Sequence, residues 1–321
     1  MWNTKLITTL RYINFTAPGT YEFMPCVTLI VGAKNISKYI GSDFKRYAGE
    51  IEYTHFVGSN NIVVGEVNDK SWGEGWENST ALDVLFCWLM WIEWILQDSW
   101  LAFDSCVHSE IAFAKRVVGR NYEWASNNLT YQASDSSGSR QSVATVGALE
   151  IHNWIERGLK IRTYIHQLGV TIGTPVISKK YARFARFAHF VQLGRKASHP
   201  AMKVAQMCSA LESLFSTDTS ELTHRLSERV AMFLGGDAEV MEKNYQMMKK
   251  CYAVRSQVTH GSHIKDGVAE SIPDMSLEML NMLRKIALKI LDDKDLSNLF
   301  DGENEGIETY FRKLLFGVVR F

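Results

Sequence analysis

The sequence predicts an α+β protein, with a β-containing N-terminal domain followed by an all-α antiparallel helical bundle. Three observations carry this. Short β-prone segments separated by glycine, asparagine and proline turns occupy the first part of the chain, and amphipathic segments with helix start and stop signals occupy the last. Composition changes between them: all nine tryptophans lie at or before Trp154, and nine of twelve methionines lie after Ala201. The expected division is a first domain over 1–150, a connector over 151–178 and a helical bundle over 179–321.

Taken in order, strands are expected over Leu6 to Phe15, Cys26 to Val31, Ile51 to Phe56 and Asn61 to Val67, followed by a Trp-rich helix from about Thr80 to Leu101. Gln132 to Gln141, with its Ala-Ser-Asp-Ser-Ser-Gly-Ser run, reads as a loop. Lys179 to Leu193 places Lys179, Arg183 and Arg186 on one helical face and Tyr181, Phe184, Ala188 and Val191 on the other. Pro200 suits the first turn of a helix with the stripe Val204, Met207, Cys208, Leu211, Leu214 and Phe215. Asp218 and Glu221 resemble a capping box before Leu222, Leu226, Val230 and Phe233, which Gly235-Gly236 would end. Asp237 can cap a long helix stopping at Gly261, and Asp274 a last one carrying Met279, Leu283, Ile286 and Ile290. Short connections make an antiparallel arrangement the economical one.

Composition excludes several classes. With 46% hydrophobic and 22% charged residues the chain is globular rather than disordered. The longest apolar run, Val84 to Leu96, is too short for the roughly 20 residues of a membrane span and contains Glu93. Five widely spaced cysteines without a C-x-x-C pair argue against a disulfide framework or zinc ribbon. With no signal-peptide pattern at the start, a cytoplasmic protein that does not engage membranes is expected. Phosphate-loop, dinucleotide, nucleophile-elbow and H-E-x-x-H motifs are all missing from the sequence.

Thirty-five basic and thirty-five acidic residues balance overall, yet Arg157 to Leu211 holds ten basic residues and no acidic one. Acids gather later, at Asp292, Asp293, Asp295, Asp301, Glu303, Glu305 and Glu308. Two readings stand side by side. Lys179, Lys180, Arg183, Arg186, Arg195 and Lys196 form a phosphate-binding stripe for RNA, or the basic stretch packs against the acidic tail, within one chain or in a dimer.

The segment Tyr252-Ala253-Val254-Arg255-Ser256-Gln257-Val258-Thr259-His260-Gly261 closes the long helix. Arg255 follows Tyr252 and Met248 at helical spacing, so an anionic group should meet its guanidinium. His260 lies five positions on, about 140° around an ideal helix, so the two side chains do not stand together within one helix. A composite site with a second protomer removes that difficulty. Glu212 and Arg229 both border apolar stripes, so an ion pair between their helices is expected, and it could also orient Arg255.

Three stretches together resemble the HEPN superfamily, and within it the ApeA-like HEPN domains, from roughly Lys179 to the C-terminus. These are Ala210-Leu211-Glu212-Ser213-Leu214-Phe215, then Glu221 through Ala231, then Tyr252 through Gly261. The resemblance implies a HEPN bundle acting as a homodimeric, metal-independent endoribonuclease without a cofactor. Arg255, Ser256 and His260 would be catalytic, supported by Glu212, Arg229 and Tyr252. The partners implied are RNA, tRNA among the candidates, a second copy of the chain, and a phage-derived trigger or regulatory protein. The setting implied is antiphage defence or abortive infection, with the N-terminal domain as sensor or regulator. The sequence departs from the family pattern at two places. Ser256 stands where active members often have Asn, Asp or His, and Ser262 stands where some relatives carry a tyrosine that is modified. His263 with His260 forms an H-x-x-H without accompanying ligands, which reads as a solvated loop histidine rather than a zinc site. Two other readings stay open: a non-catalytic dimerisation or RNA-binding module, and a toxin held off by a separate antitoxin.

Overall fold

A computed structural model describes residues 2–72, 75–128, 133–169, 178, 181–218 and 222–317. The strands are β1 (Trp2–Thr8), β2 (Leu10–Arg11), β3 (Ile13–Phe15), β4 (Gly19–Met24), β5 (Val27–Val31), β6 (Asn61–Asn68), β7 (His108–Ser109), β8 (Ala112–Val118), β9 (Asn121–Asn127) and β10 (Ala144–Val146). The helices that accompany them are α1 (Ala33–Ile36), α2 (Ser42–Gly58), α3 (Asp69–Trp72), α4 (Ala81–Asp98) and α5 (Ala148–Gln167). After these come α6 (Arg183–Lys196), α7 (Pro200–Phe215), α8 (Leu222–Leu234), α9 (Ala238–His260), α10 (Asp266–Ala269), α11 (Ile272–Asp292), α12 (Lys294–Asp301) and α13 (Asn304–Leu315). The chain is therefore α+β, and among the described residues the strands lie in its first half. Among the described residues no helix is long and apolar enough to cross a membrane.

Two compact units form, one from residues 1–133 and 141–159, the other from 134–140 and 160–321. This differs from a simple division at residue 150, because a short loop of the first half belongs to the second unit. The stretch expected as a connector begins inside α5, and the unit boundary falls within that helix.

The first unit is built on a six-stranded sheet in the order β4-β5-β6-β1-β8-β9, antiparallel throughout. Alternation along the central strand sorts the core: Trp2 and Leu6 join Trp88, Leu89 and Ile92 of α4, while Ile7 joins Phe44 and Phe56 of α2. Thr80 caps α4 through a reciprocal capping box with Asp83, and the helix ends in a 3₁₀ turn over Ser99–Leu101, close to the expected span.

Two expectations fail in this unit. Ile51 to Phe56 is not a strand but lies in the second segment of α2, beyond a break at Gly49 (φ 87°), where Tyr53 and Phe56 meet the sheet as Phe44 and Ala48 do before the break, and Ile51 points to solvent. The β-branched and aromatic composition of the hexapeptide misled the reading. Leu6 to Phe15 is not one strand either: it breaks into β1, β2 and β3, with Tyr12 at φ 57° forcing the turn. Strands β4, β8 and β9 were not foreseen, although Gly119, at φ 61°, turns the β8–β9 hairpin.

In the second unit α7 is the central element, packing against α6, α9 and α11. Its predicted stripe, Val204, Met207, Cys208, Leu211, Leu214 and Phe215, is buried in full. Phe215 meets Phe233 of α8, Phe300 of α12 and Phe311 of α13 at ring-centroid distances of 5.2 to 5.6 Å. Pro200 begins α7, Asp237 caps α9 by accepting from the Val240 amide, and Gly235 and Gly236 follow α8 with positive φ, all at the expected positions. Helix α11 starts two residues before Asp274, which sits in its first turn without capping it. The first helix of this unit runs Arg183–Lys196 rather than Lys179 to Leu193; Lys179, Lys180 and Glu221 lie outside the described residues.

Candidate functional site

Helix α9 carries Arg255, Ser256 and His260 in its last two turns and ends where Gly261 adopts the left-handed conformation at φ 67°. Val254 and Tyr252 pack inward, which leaves Arg255 at the edge of the buried face with 25% of its side chain exposed. Its Nη2 donates to Glu212 Oε2 of α7 at 3.2 Å, and its guanidinium lies 5.3 Å from the centre of the Tyr252 ring. Glu212 is thus the anionic group that Arg255 required. The other carboxylate oxygen of Glu212, Oε1, is buried and, among the described residues, accepts no hydrogen bond of good geometry, though the Tyr252 hydroxyl lies against the carboxylate. Burial first, and then the Glu212 carboxylate, push the Tyr252 hydroxyl up to about 12, against the opposing pull of Arg255. Beneath them the buried Cys208 thiol is pushed well up by burial and by Cys251 and Glu212, so it is a packing group and not a nucleophile.

His260 is exposed at the helix end, as is His263 beyond it, and Ser256 is half-buried. Because α9 continues unbroken to His260, the imidazole and the guanidinium point about 140° apart around the axis. One chain brings together Arg255, Glu212 and Tyr252. It does not bring His260 to them.

The expected ion pair between Glu212 and Arg229 does not form. Arg229 lies in α8 and is buried, donating to the Phe215 carbonyl at 2.6 Å, to Thr217 Oγ1 at 3.1 Å and to Glu308 Oε1 at 2.6 Å. It therefore caps the C-terminus of α7, where unpaired carbonyls and the negative end of the helix dipole favour a cation. Its carboxylate comes from α13, a helix within the acidic tail. Glu308 also takes Arg225, and the combined pull of Arg229, Thr217 and Arg225 holds its carboxyl below the usual value although burial alone would raise it. Glu308 and Thr217 are the members of this network that sequence reasoning missed; the run of acids was visible, but which acid would reach Arg229 was not.

The basic stretch is largely absorbed by structure. Arg195 is 3% exposed and Lys203 is 1% exposed, the latter donating to the carbonyls of Ser134, Gly194 and Arg195. Arg183 donates to the Ser213 and Ser216 carbonyls and to Asn304, and Arg186 to the Tyr181 carbonyl. Lys160 pairs with Asp292 at 2.7 Å. Of the six residues expected to contact RNA, Lys196 is exposed, while Arg195 and Arg183 are not available as a phosphate stripe. Within the basic stretch, the contact with an acid of the tail is Lys160 to Asp292; Arg225 and Arg229, which also meet a tail acid, belong to α8 and lie outside that stretch. No family model, curated protein or solved structure matches the chain.

Proposed function

We propose that the chain is a metal-independent endoribonuclease of the HEPN type, active as a homodimer in which the ends of two α9 helices meet across a twofold axis. The observation that carries this reading is the placement of Arg255. A guanidinium held by Glu212 at a helix end, with an exposed His260 one and a half turns further on, is half of a phosphodiester site. Only one of its N–H groups is engaged by the Glu212 carboxylate, which leaves donors of its fork for phosphate oxygens. A second copy supplies the imidazole that one helix cannot bring alongside.

In this reading His260 accepts the proton of the ribose 2′-hydroxyl as O2′ attacks the adjacent phosphorus. The O2′–P bond forms and the P–O5′ bond breaks. A 2′,3′-cyclic phosphate remains on one fragment, and the leaving O5′ takes a proton from water while His260 returns its own to solvent, giving a 5′-hydroxyl on the other. Arg255 stabilises the charge that accumulates on the phosphoryl oxygens, and Ser256 and Tyr252 line its approach. The biological role we assign is antiphage defence in the cytoplasm, with the N-terminal unit regulating cleavage.

A second reading, a dimerisation or RNA-binding module without catalysis, is favoured by the Arg255–Glu212 pair, which already balances the charge of the guanidinium within one chain. Cleavage of RNA in the presence of a chelator separates them. Arg255→Ala and His260→Ala should each lower cleavage by about 10²-fold or more while RNA binding persists. Cleavage unchanged in both variants would refute the nuclease assignment.

A further inference from the structure

The N-terminal unit holds a cavity of about 490 Å³ that the nuclease reading does not use. That volume falls within the roughly 300–1,000 Å³ of small-molecule sites. The floor of the cavity is the face of the sheet on which α2 packs. Register fixes one cross-strand row there: Glu66 on β6 opposes Lys5 on β1, Lys5 opposes Lys115 on β8, and Lys115 opposes Trp124 on β9. The neighbouring row of Val64, Ile7 and Phe113 is covered by Phe44 and Phe56 of α2. Lys38 and Tyr39, in the turn between α1 and α2, complete the wall.

The charges in this cavity do not cancel. Its lining has three lysines, two carboxylates and no arginine. Lys115 is engaged, with its ammonium 2.5 Å from Asp43 and 5.4 and 5.5 Å from the ring centres of Tyr122 and Trp124. Glu66 accepts from the Asn3 amide at 2.7 Å. Among the described residues Lys5 and Lys38 form no ion pair. Lys5 and Lys115 also face each other directly across the strands, a like-charge pair flanked by Asp43 at Lys115 and by Glu66 opposite Lys5 on β6. Lysine ammonium groups bind phosphate as point charges. Aromatic faces complete the chemistry: Trp124, stacked on Tyr47 at 4.7 Å, stands at one end of the row, and Tyr39 is half exposed at the rim.

We propose that this cavity binds a phosphorylated ligand with a planar ring, of mononucleotide size, its phosphate on Lys5 and Lys38 and its ring against Tyr39 and Trp124. Strand spacing places Trp124 roughly 10 Å from Lys5, two strands away, so the two ends of one such ligand reach both groups. The proposal is independent of RNA cleavage and is tested apart from it.

The test is calorimetric titration of the full chain carrying Arg255→Ala and His260→Ala, so that the end of α9 contributes no phosphate site. The probes are adenosine 5′-monophosphate, adenosine and inorganic phosphate. Saturable binding of the monophosphate is expected, with adenosine and phosphate each weaker. Lys5→Glu with Lys38→Glu should reduce affinity for the monophosphate by about tenfold or more, and Tyr39→Ala should weaken the monophosphate but not inorganic phosphate. Lys38→Glu alone, outside the sheet, keeps the test decisive if a charge reversal on β1 disturbs folding. No saturable binding at millimolar monophosphate, affinity unchanged by Lys38→Glu, or phosphate binding as tightly as the monophosphate would each overturn the proposal.

Discussion

At the scale of single residues, buried cations decide the helical unit. Arg229 and Lys203 each place a charged group among backbone carbonyls, which satisfies helix-end acceptors that would otherwise be dry. Arg255 differs because its partner is a carboxylate and a quarter of its side chain remains exposed. Glu212→Ala should therefore cost about 1–2 kcal/mol, since it leaves Arg255 half-buried without an anion, and Glu212→Gln should cost less because the amide oxygen still accepts. Denaturant unfolding of the two variants checks the order. If the nuclease reading holds, Glu212→Ala also lowers the cleavage rate more than it lowers RNA affinity, because a loose guanidinium reaches the phosphate less often in the right geometry.

At the scale of elements, the last turn of α9 ends on Gly261 at φ 67°, where an added Cβ would meet no atom within 4 Å. Strain alone therefore sets the penalty for a side chain there. Gly261→Ala should destabilise by about 1 kcal/mol, and Gly261→Asn by less, because asparagine tolerates the left-handed region; thermal melts of both variants test this. Helices of this kind were legible in the sequence because caps and apolar stripes are local: Pro200, Asp237, Gly235 and Gly261 stand where the reading put them. Strands β8 and β9 were not: Ala112 to Asn127 alternates weakly, and β8 is held by β1, far back along the chain, while β9 is an edge strand paired with β8. Ile51 to Phe56 failed for the opposite reason, its composition favouring a strand while its contacts with the sheet required a helix. Among the candidate residues, helical spacing placed Arg255 on a packing face that needs an anion, and the resemblance alone singled out His260; the choice of Glu212 for Arg255 and Glu308 for Arg229 depends on how α7, α8, α9 and α13 pack, which no local pattern encodes.

For the whole molecule, one acid of the late acidic run acts as a fastening: Glu308 of α13 joins Arg229 and Arg225 of α8. Glu308, held below its ordinary value in the folded chain, contributes stability that is present above the unfolded value of about 4.3 and is lost as pH falls through the folded value. Glu308→Gln should thus be less stable than wild type near neutral pH, and the gap between the two should close below about pH 4. Urea midpoints measured across that range provide the check, and a gap independent of pH would show that the carboxylate charge does not contribute.

The brief excursion of residues 134–140 into the helical unit before the first unit is complete has a consequence for biosynthesis. Ser134 bonds to Arg195 and Lys203, so the loop has no seat until α6 and α7 have been translated. When the ribosome reaches this loop the six-stranded sheet is already complete, and what the first unit still awaits is β10, the partner of β3, and the start of α5. Cutting the gene between the halves would leave one fragment lacking its final strand or the other lacking its seven-residue insert.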